Sequence, residues 1–240
     1  MGRSFGIKLL CLVQAFRTCG ANEAEIKPRR LAQIYRSRIY LKMASSLTSG
    51  TLFPIDNLPE GLLYQPGFLS QDEESALVRI FRELPFQAFD FHGYTAKRRV
   101  LEFGLEYDFT TRRATPTQSF PEFLSTVRQR AANFAGVSAA DLVEGMVTEY
   151  SPGAPIGWHR DAPQFGTIIG ISLASASRMR FKPYKAEGKP VSLTLEPRSI
   201  YLMRGPARWK FQHSIPAVKE LRYSITFRTL RSREKKTEAA

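Results

Sequence analysis

Three histidines occur in the 240 residues, His92, His159 and His213, and two of them stand where chemistry would need them. His159 and Asp161 are two apart at the end of a predicted strand. Residues i and i+2 of an extended chain project to the same side, so an imidazole and a carboxylate converge on one point. His213 lies 54 residues further on in another predicted strand, and an antiparallel jelly roll can bring it opposite. Two imidazoles and one carboxylate on one face of an octahedron form the facial triad of non-haem Fe(II) oxygenases. Such a triad leaves three positions for a chelating cosubstrate and O2. A lone HxD is weak support, because turns and surfaces carry many such pairs.

A downstream segment strengthens the reading. Residues 222–228 run Arg-Tyr-Ser-Ile-Thr-Phe-Arg. Alternation puts Arg222, Ser224, Thr226 and Arg228 on one face and Tyr223, Ile225 and Phe227 on the other. Arginines facing the inside of a barrel need anionic partners, because an unpaired buried charge is costly. A guanidinium grips a carboxylate through two parallel hydrogen bonds, so a dicarboxylate is the natural occupant.

These residues must be held by elements that the sequence also outlines. Ser70 with Glu73 three residues on reads as a capping box. Ala76, Leu77, Ile80, Phe81 and Leu84 follow at helical spacing, and Pro85 is the expected stop. A second helix is expected from Pro121, with Phe123, Leu124, Val127, Ala131 and Phe134 on one face and Gly136 as terminator. Beyond about residue 141 the chain reads as short strands at 143–150, 167–173, 177–183, 191–195, 199–203, 209–215 and 221–229. Many short strands without intervening helices imply an antiparallel sandwich or jelly roll.

The runs Tyr150-Ser-Pro-Gly153, Gly157-Trp-His-Arg-Asp161, Gly205-Pro-Ala-Arg208, His213-Ser-Ile215 and Arg222 to Arg228 together resemble the AlkB family of Fe(II)/2-oxoglutarate dioxygenases, in order and in spacing. The resemblance covers about residues 60–230. It implies a double-stranded β-helix (jelly roll) with helices packed on one side and an N-terminal lid region. It implies Fe(II) on His159, Asp161 and His213, with 2-oxoglutarate and O2 as cosubstrates. Arg222 would pair with the distal carboxylate of 2-oxoglutarate, and Tyr150 would hydrogen-bond it. Arg228 would sit near its other end, and Ser224 and Thr226 would line the same face. The implied reaction is oxidative demethylation of N-alkylated bases in DNA or RNA, releasing formaldehyde, succinate and CO2. The chain departs from the founding bacterial member at Pro163, where an acid contacts the damaged base, at Thr148 and at Gly170. A same-fold dioxygenase acting on protein or a small molecule, and a non-catalytic nucleic-acid-binding module, are the alternatives.

The substrate side is expected in residues 89–104. That segment interleaves aromatics with Lys97, Arg98 and Arg99, a pattern suited to stacking bases and holding phosphates. A base within a duplex must be flipped out to react. His92, Tyr94 and Arg99 are the expected substrate contacts.

The formal charge of +13 points to a polyanionic partner, nucleic acid first. It is unevenly spread: residues 1–42 hold nine basic groups against two acids, a net of +7, and the other 198 residues hold +6. Both cysteines, Cys11 and Cys19, also lie in this leader, which leaves no disulfide framework and no zinc-thiolate site elsewhere. This suits a reducing compartment, the cytoplasm with nucleoid or nucleus as variants, and a monomer. The leader is too interrupted for a secretory signal; an organelle transit peptide or a true start at Met43 fit its composition. Residues 43–60 read as an extended arm, 61–230 as the dioxygenase domain and 231–240 as a charged tail. No apolar run approaches the length of a membrane span.

Overall fold

The computed structural model describes residues 58–91, 94–108 and 113–231. The leader, most of the arm and nearly all of the tail lie outside the described residues. Strands β1 (Leu62–Gln65), β2 (Gln87–Phe91), β3 (Tyr94–Phe103), β6 (Leu142–Tyr150), β8 (Phe165–Leu173), β11 (Ser199–Met203) and β13 (Arg222–Leu230) form a seven-stranded sheet in the order β1-β11-β8-β13-β6-β3-β2. Strands β7 (Ile156–His159), β9 (Ser177–Pro183), β10 (Val191–Leu195) and β12 (Phe211–Ile215) form a second sheet, β10-β9-β12-β7. A short hairpin pairs β4 (Leu105–Asp108) with β5 (Arg113–Pro116). Among the described strands, all pairings are antiparallel. The fold is a double-stranded β-helix.

Two apolar layers flank the larger sheet. On its outer face, Leu77 and Phe81 of helix α1 (Gln71–Phe81) and Leu124, Val127 and Ala131 of helix α2 (Glu122–Ala135) pack on Val147, Ile169, Ile171, Tyr223, Ile225 and Phe227. On its inner face, Tyr150, Ile168, Tyr201 and Met203 meet Met179, Phe181, Leu195 and Ile215 of the smaller sheet. Strand β8 is thus covered on both sides, which is why it reads as a nearly continuous apolar run.

Helix α1 opens with the expected capping box: Ser70 Oγ accepts from Glu73 N–H, and Glu73 accepts from Ser70 N–H. It ends at Phe81, short of Pro85, with Arg82 as C-cap, so Leu84 lies outside the helix. Helix α2 ends as expected at Gly136, whose φ of 69° favours glycine. Residues 209–215 are not one strand. A five-residue helix α3 (Gly205–Trp209) occupies the first position and β12 starts at Phe211.

Residues 89–104, expected on the substrate side, are largely strand in β2 and β3. β3 pairs with β6 along Arg99–Phe103, so it extends the barrel wall.

Candidate active site

The register of the two sheets gathers the predicted residues. His213 lies opposite His159 in the β12–β7 pairing, and their ring centroids are 4.2 Å apart. A register shift between His213 and Ile215 turns the end of β7 so that both His159 and Ile156 meet β12 partners. The His159 Nδ1–H donates to the Gly157 carbonyl at 2.9 Å, because a carbonyl only accepts. Its Nε2 is thereby left as a lone-pair donor, the tautomer that metal-bound imidazoles adopt. His213 Nε2 stands 3.6 Å from Asp161 Oδ2.

Asp161 divides its two oxygens. Oδ1 accepts from both Nε and Nη2 of Arg228, at 3.0 and 2.9 Å. Oδ2 is buried and has no hydrogen-bond partner. Burial alone would raise the Asp161 carboxyl, but Arg228, His213 and Arg208 outweigh it and hold it well below the carboxylate range. Burial, with His159 beside it, drives the His213 imidazole down to about 3. Burial also lowers His159. Two neutral imidazoles and an ionised carboxylate therefore face one another at neutral pH. The 3.6 Å approach is neither an ion pair nor a hydrogen bond, and it leaves Asp161 Oδ2 as an unpaired acceptor beside the imidazole.

The donor set fits Fe(II). Cis ligands about 2.1 Å from one ion stand about 3 Å apart. No group of three His, Cys, Asp or Glu among the described residues is closed to bonding distance around a point. The trio is gathered but slightly splayed, and closing the Asp161–His213 gap takes an adjustment of about 0.6 Å, within the reach of side-chain torsions.

A cavity of about 400 Å³ runs from this point between the sheets. Arg222, Ser224, Thr226 and Arg228 all line it, and Tyr223, Ile225 and Phe227 are in the core layer beneath α1 and α2. Arg222 is the largest of the fully buried side chains, at 1% exposure. Its Nε donates to Ser172 Oγ at 3.1 Å, and its guanidinium lies 4.7 Å above the Tyr150 ring. Arg222 and Tyr150 are direct partners in the β13–β6 register. Among the described residues no carboxylate pairs with Arg222, and its Nη1 has no hydrogen-bond partner. Native interiors leave few polar atoms orphaned. Of the seven such side-chain atoms among the described residues, four (Asp161 Oδ2, Arg222 Nη1, Thr148 Oγ1 and Glu144 Oε2) belong to residues lining this one cavity. An acceptor beside the imidazoles and a buried guanidinium deeper in the cavity match a metal ion and a carboxylate.

Arg228 does more than line the cavity. Its Nη1 donates to Glu144 at 2.5 Å while its other nitrogens hold Asp161. Burial opposes the charge, but Glu144 and Asp161 raise its affinity for the proton. Burial pushes Glu144 up to about 8 despite Arg228. Three residues escaped sequence reasoning because only the three-dimensional contacts reveal them. Arg208 Nη2 donates to the carbonyls of Asp161, Ala162 and Phe165 and pins the loop after the HxD. Tyr201 lines the cavity because Gly170 leaves room for its ring: a Cβ there would lie 2.2 Å from Tyr201 Cζ. Glu144 is the third.

The substrate-side expectations fare differently. His92 lies outside the described residues; Tyr94 contributes its backbone to β3, and its side chain is likewise outside what is described. Arg99 is not in the cavity. It sits on the opposite face of β3, bonded to Glu149 at 2.9 and 2.7 Å and lying 5.7 Å from the Phe86 ring centroid. Strand alternation gives the reason: Arg98, one residue earlier, lines the cavity instead.

A jelly roll whose inner face carries two imidazoles, one carboxylate and a buried guanidinium defines the class of 2-oxoglutarate-dependent Fe(II) oxygenases. Residues 61–228 match the family described as 2OG-Fe(II) oxygenase superfamily. The chain belongs to that superfamily and, within it, to the AlkB family. It is 32% identical over 167 residues to the mouse mitochondrial alpha-ketoglutarate-dependent dioxygenase alkB homolog 7, covering 67% of this chain and 70% of that protein. The bovine counterpart is 29% identical with the same coverage. An Arabidopsis protein named alkylated DNA repair protein ALKBH8 homolog is 28% identical over 67% of this chain and 51% of its own length. The solved structure of OsALKBH1 superposes with a TM-score of 0.57 at 16% identity, over 72% of this chain and 98% of that one. The protein is a dioxygenase that uses Fe(II), 2-oxoglutarate and O2.

Proposed function

We propose that the chain is an oxidative demethylase of N-alkylated bases in DNA or RNA, acting in alkylation-damage repair. With iron bound, 2-oxoglutarate and O2 supply the oxidising power, and an N-methyl group leaves as formaldehyde alongside succinate and CO2. His159, Asp161 and His213 would hold the metal. Arg222 would hold the distal carboxylate of 2-oxoglutarate over Tyr150, with Ser224 and Thr226 along its length. Arg228 orients Asp161 by occupying one of its oxygens, and Glu144 fixes Arg228 from behind.

One observation carries the nucleic-acid part of this reading. Aromatic rings flanked by cations stand next to the HxD. Trp158, adjacent to His159, lies under Arg180 and Lys182 at 5.0 and 4.6 Å. Tyr184 lies under Arg160 and Lys185 at 3.6 and 5.4 Å. No carboxylate among the described residues pairs with these four cations. Aromatic faces stack bases in any sequence, and free cations hold phosphates. Relatives named for alkylated DNA repair and for tRNA (carboxymethyluridine(34)-5-O)-methyltransferase activity agree with a nucleic-acid substrate.

No described helix is long and apolar enough to cross a membrane. We place the chain as a monomer in the cytoplasm, nucleoid or nucleus; the basic leader also suits mitochondrial import, and two relatives are named mitochondrial.

The test is formaldehyde release from DNA and RNA oligonucleotides bearing single N-methylated bases. At least one should yield formaldehyde and succinate in equal amounts, and His159→Ala should abolish both. Decarboxylation of 2-oxoglutarate without formaldehyde from any oligonucleotide would favour a protein or small-molecule substrate. No decarboxylation with any substrate would favour a non-catalytic module.

A further inference from the structure

Two carboxylates inside the cavity are not fully used by the roles above: Glu144 gives Arg228 only one of its oxygens, and Glu102 has no role there. Glu144 of β6 is 1% exposed, and only its Oε1 is engaged, by Arg228. Its Oε2 is buried without a partner, and the residue lines the cavity. Glu102 of β3 also lines the cavity, and no hydrogen bond or ion pair among the described residues reaches its carboxylate. Glu102 is the register partner of Met146, two residues from Glu144 on the same face of β6. Diagonal neighbours on one face of a sheet are within reach of long side chains. Burial, followed by the charge of Glu106, raises Glu102 to about 7, and Glu102 in turn raises Glu144, in keeping with the neighbouring places that register gives the half-buried Glu102 and the buried Glu144.

Among the described residues, the ion pair that reaches these two acids comes from Arg228. Arg228 is shared between Asp161 and Glu144, so one guanidinium serves three carboxylates once Glu102 is counted. Arg98 also lines the cavity, four residues from Glu102 on β3, about 13 Å along a strand. Met146, Ile168 and the edge-packed Tyr107–Phe165 pair, centroids 6.4 Å apart, supply apolar walls for a flat group.

We propose that Glu102 and Glu144 form a carboxylate subsite for the primary substrate, selecting a flat cation that carries N–H donors. A planar amidinium-like edge would give one N–H to Glu144 Oε2 and another to Glu102, satisfying the orphan oxygen and taking the place of the protons that the pair holds near neutral pH. Both residues are specificity determinants and neither is a metal or 2-oxoglutarate ligand. The inference rests on the reading above only in that the primary substrate enters this cavity.

Benzamidine, a flat amidinium, and benzamide, its neutral near-isostere, test the subsite directly. Each is titrated by calorimetry into the full chain loaded with Mn(II) and N-oxalylglycine, an unreactive analogue of 2-oxoglutarate that occupies the metal end. Benzamidine should bind at least about tenfold more tightly than benzamide, as expected for a charge-assisted contact out of water. Glu144→Gln and Glu102→Gln should each bring the two within about threefold, with far-UV circular dichroism confirming that the variants fold. The pair of variants guards against loss of structure at the more buried Glu144. Equal binding of the probes, no binding of either, or a preference retained in both variants would overturn the subsite. If the preference holds while no oligonucleotide is demethylated, only the nucleic-acid reading falls. If demethylation proceeds without the preference, only the subsite falls.

Discussion

A carboxylate has two oxygens and can serve two partners, which is what Asp161 does. Arg228 takes Oδ1 through two nitrogens and so fixes the plane of the group. Oδ2 is left pointing to the imidazole of His213. This division keeps Asp161 ionised in a buried place where protonation would otherwise be favoured. Arg222 shows the complementary arrangement, a buried cation with one nitrogen anchored on Ser172 and another without a partner. Lysine at this position keeps the charge but loses the fork that meets a carboxylate with two parallel bonds. Arg222→Lys should therefore weaken 2-oxoglutarate binding by about 1.5–3 kcal/mol, roughly 10- to 150-fold, the range for a charge-assisted hydrogen bond. Anaerobic calorimetry with Mn(II) measures it, and unchanged affinity would remove Arg222 from the cosubstrate site.

At the scale of elements, legibility tracked how strongly each segment alternates. β9, β10 and β11 were readable to the residue: β9 and β10 because one face packs the barrel and the other carries polar side chains, β11 because it is a short run buried on both faces and bounded by turn residues. β3 was not, because its inward face carries Arg98 and Glu102 into a polar cavity and its periodicity is masked. The same blind spot misplaced Arg99: the basic run was visible, but which member faces inward is a matter of single-residue register. The triad was legible for the opposite reason, since histidines are scarce and HxD spacing survives in any extended segment. Gly170 carries a different element-level consequence. It is paired with both Tyr201 and Thr226, and its missing Cβ is the space that the Tyr201 ring fills. Gly170→Ala should destabilise the fold by about 1–3 kcal/mol through overpacking. The penalty should shrink in a Tyr201→Ala background, which urea denaturation of the two singles and the double can measure. Equal penalties in both backgrounds would mean that Tyr201 is not the obstacle.

For the molecule as a whole, the cavity's charges set how stability without metal depends on pH. Glu102 and Glu144 are raised to about 7 and about 8, so between about pH 4.5 and those values the folded chain holds protons that the unfolded chain has released. Their contribution to stability therefore declines as pH rises through that window. His213, lowered to about 3, works the other way: its contribution is complete above about 6.5 and is lost as pH falls towards 3. Asp161, also lowered, loses its contribution below about pH 4. The two sets oppose one another between 4.5 and 6.5, and only the acids act from 6.5 to 8. Thermal melting of the metal-free chain should thus show a stability maximum on the acid side of neutrality and a decline from pH 6.5 to 8. Glu102→Gln should flatten that decline. A melting temperature that rises across this interval would contradict the burial of these carboxyls.

Activity requires three side chains, from β7, the loop after it and β12, to meet on one ferrous ion beside a 2-oxoglutarate held by Arg222. Anaerobic titration of the full chain with Fe(II) and 2-oxoglutarate tests this most directly, through the weak visible charge-transfer band of the chelated cosubstrate. The band should appear in the wild-type chain at one equivalent of iron and vanish in His213→Ala. A band of undiminished intensity in His213→Ala, or none in the wild-type chain, would contradict it.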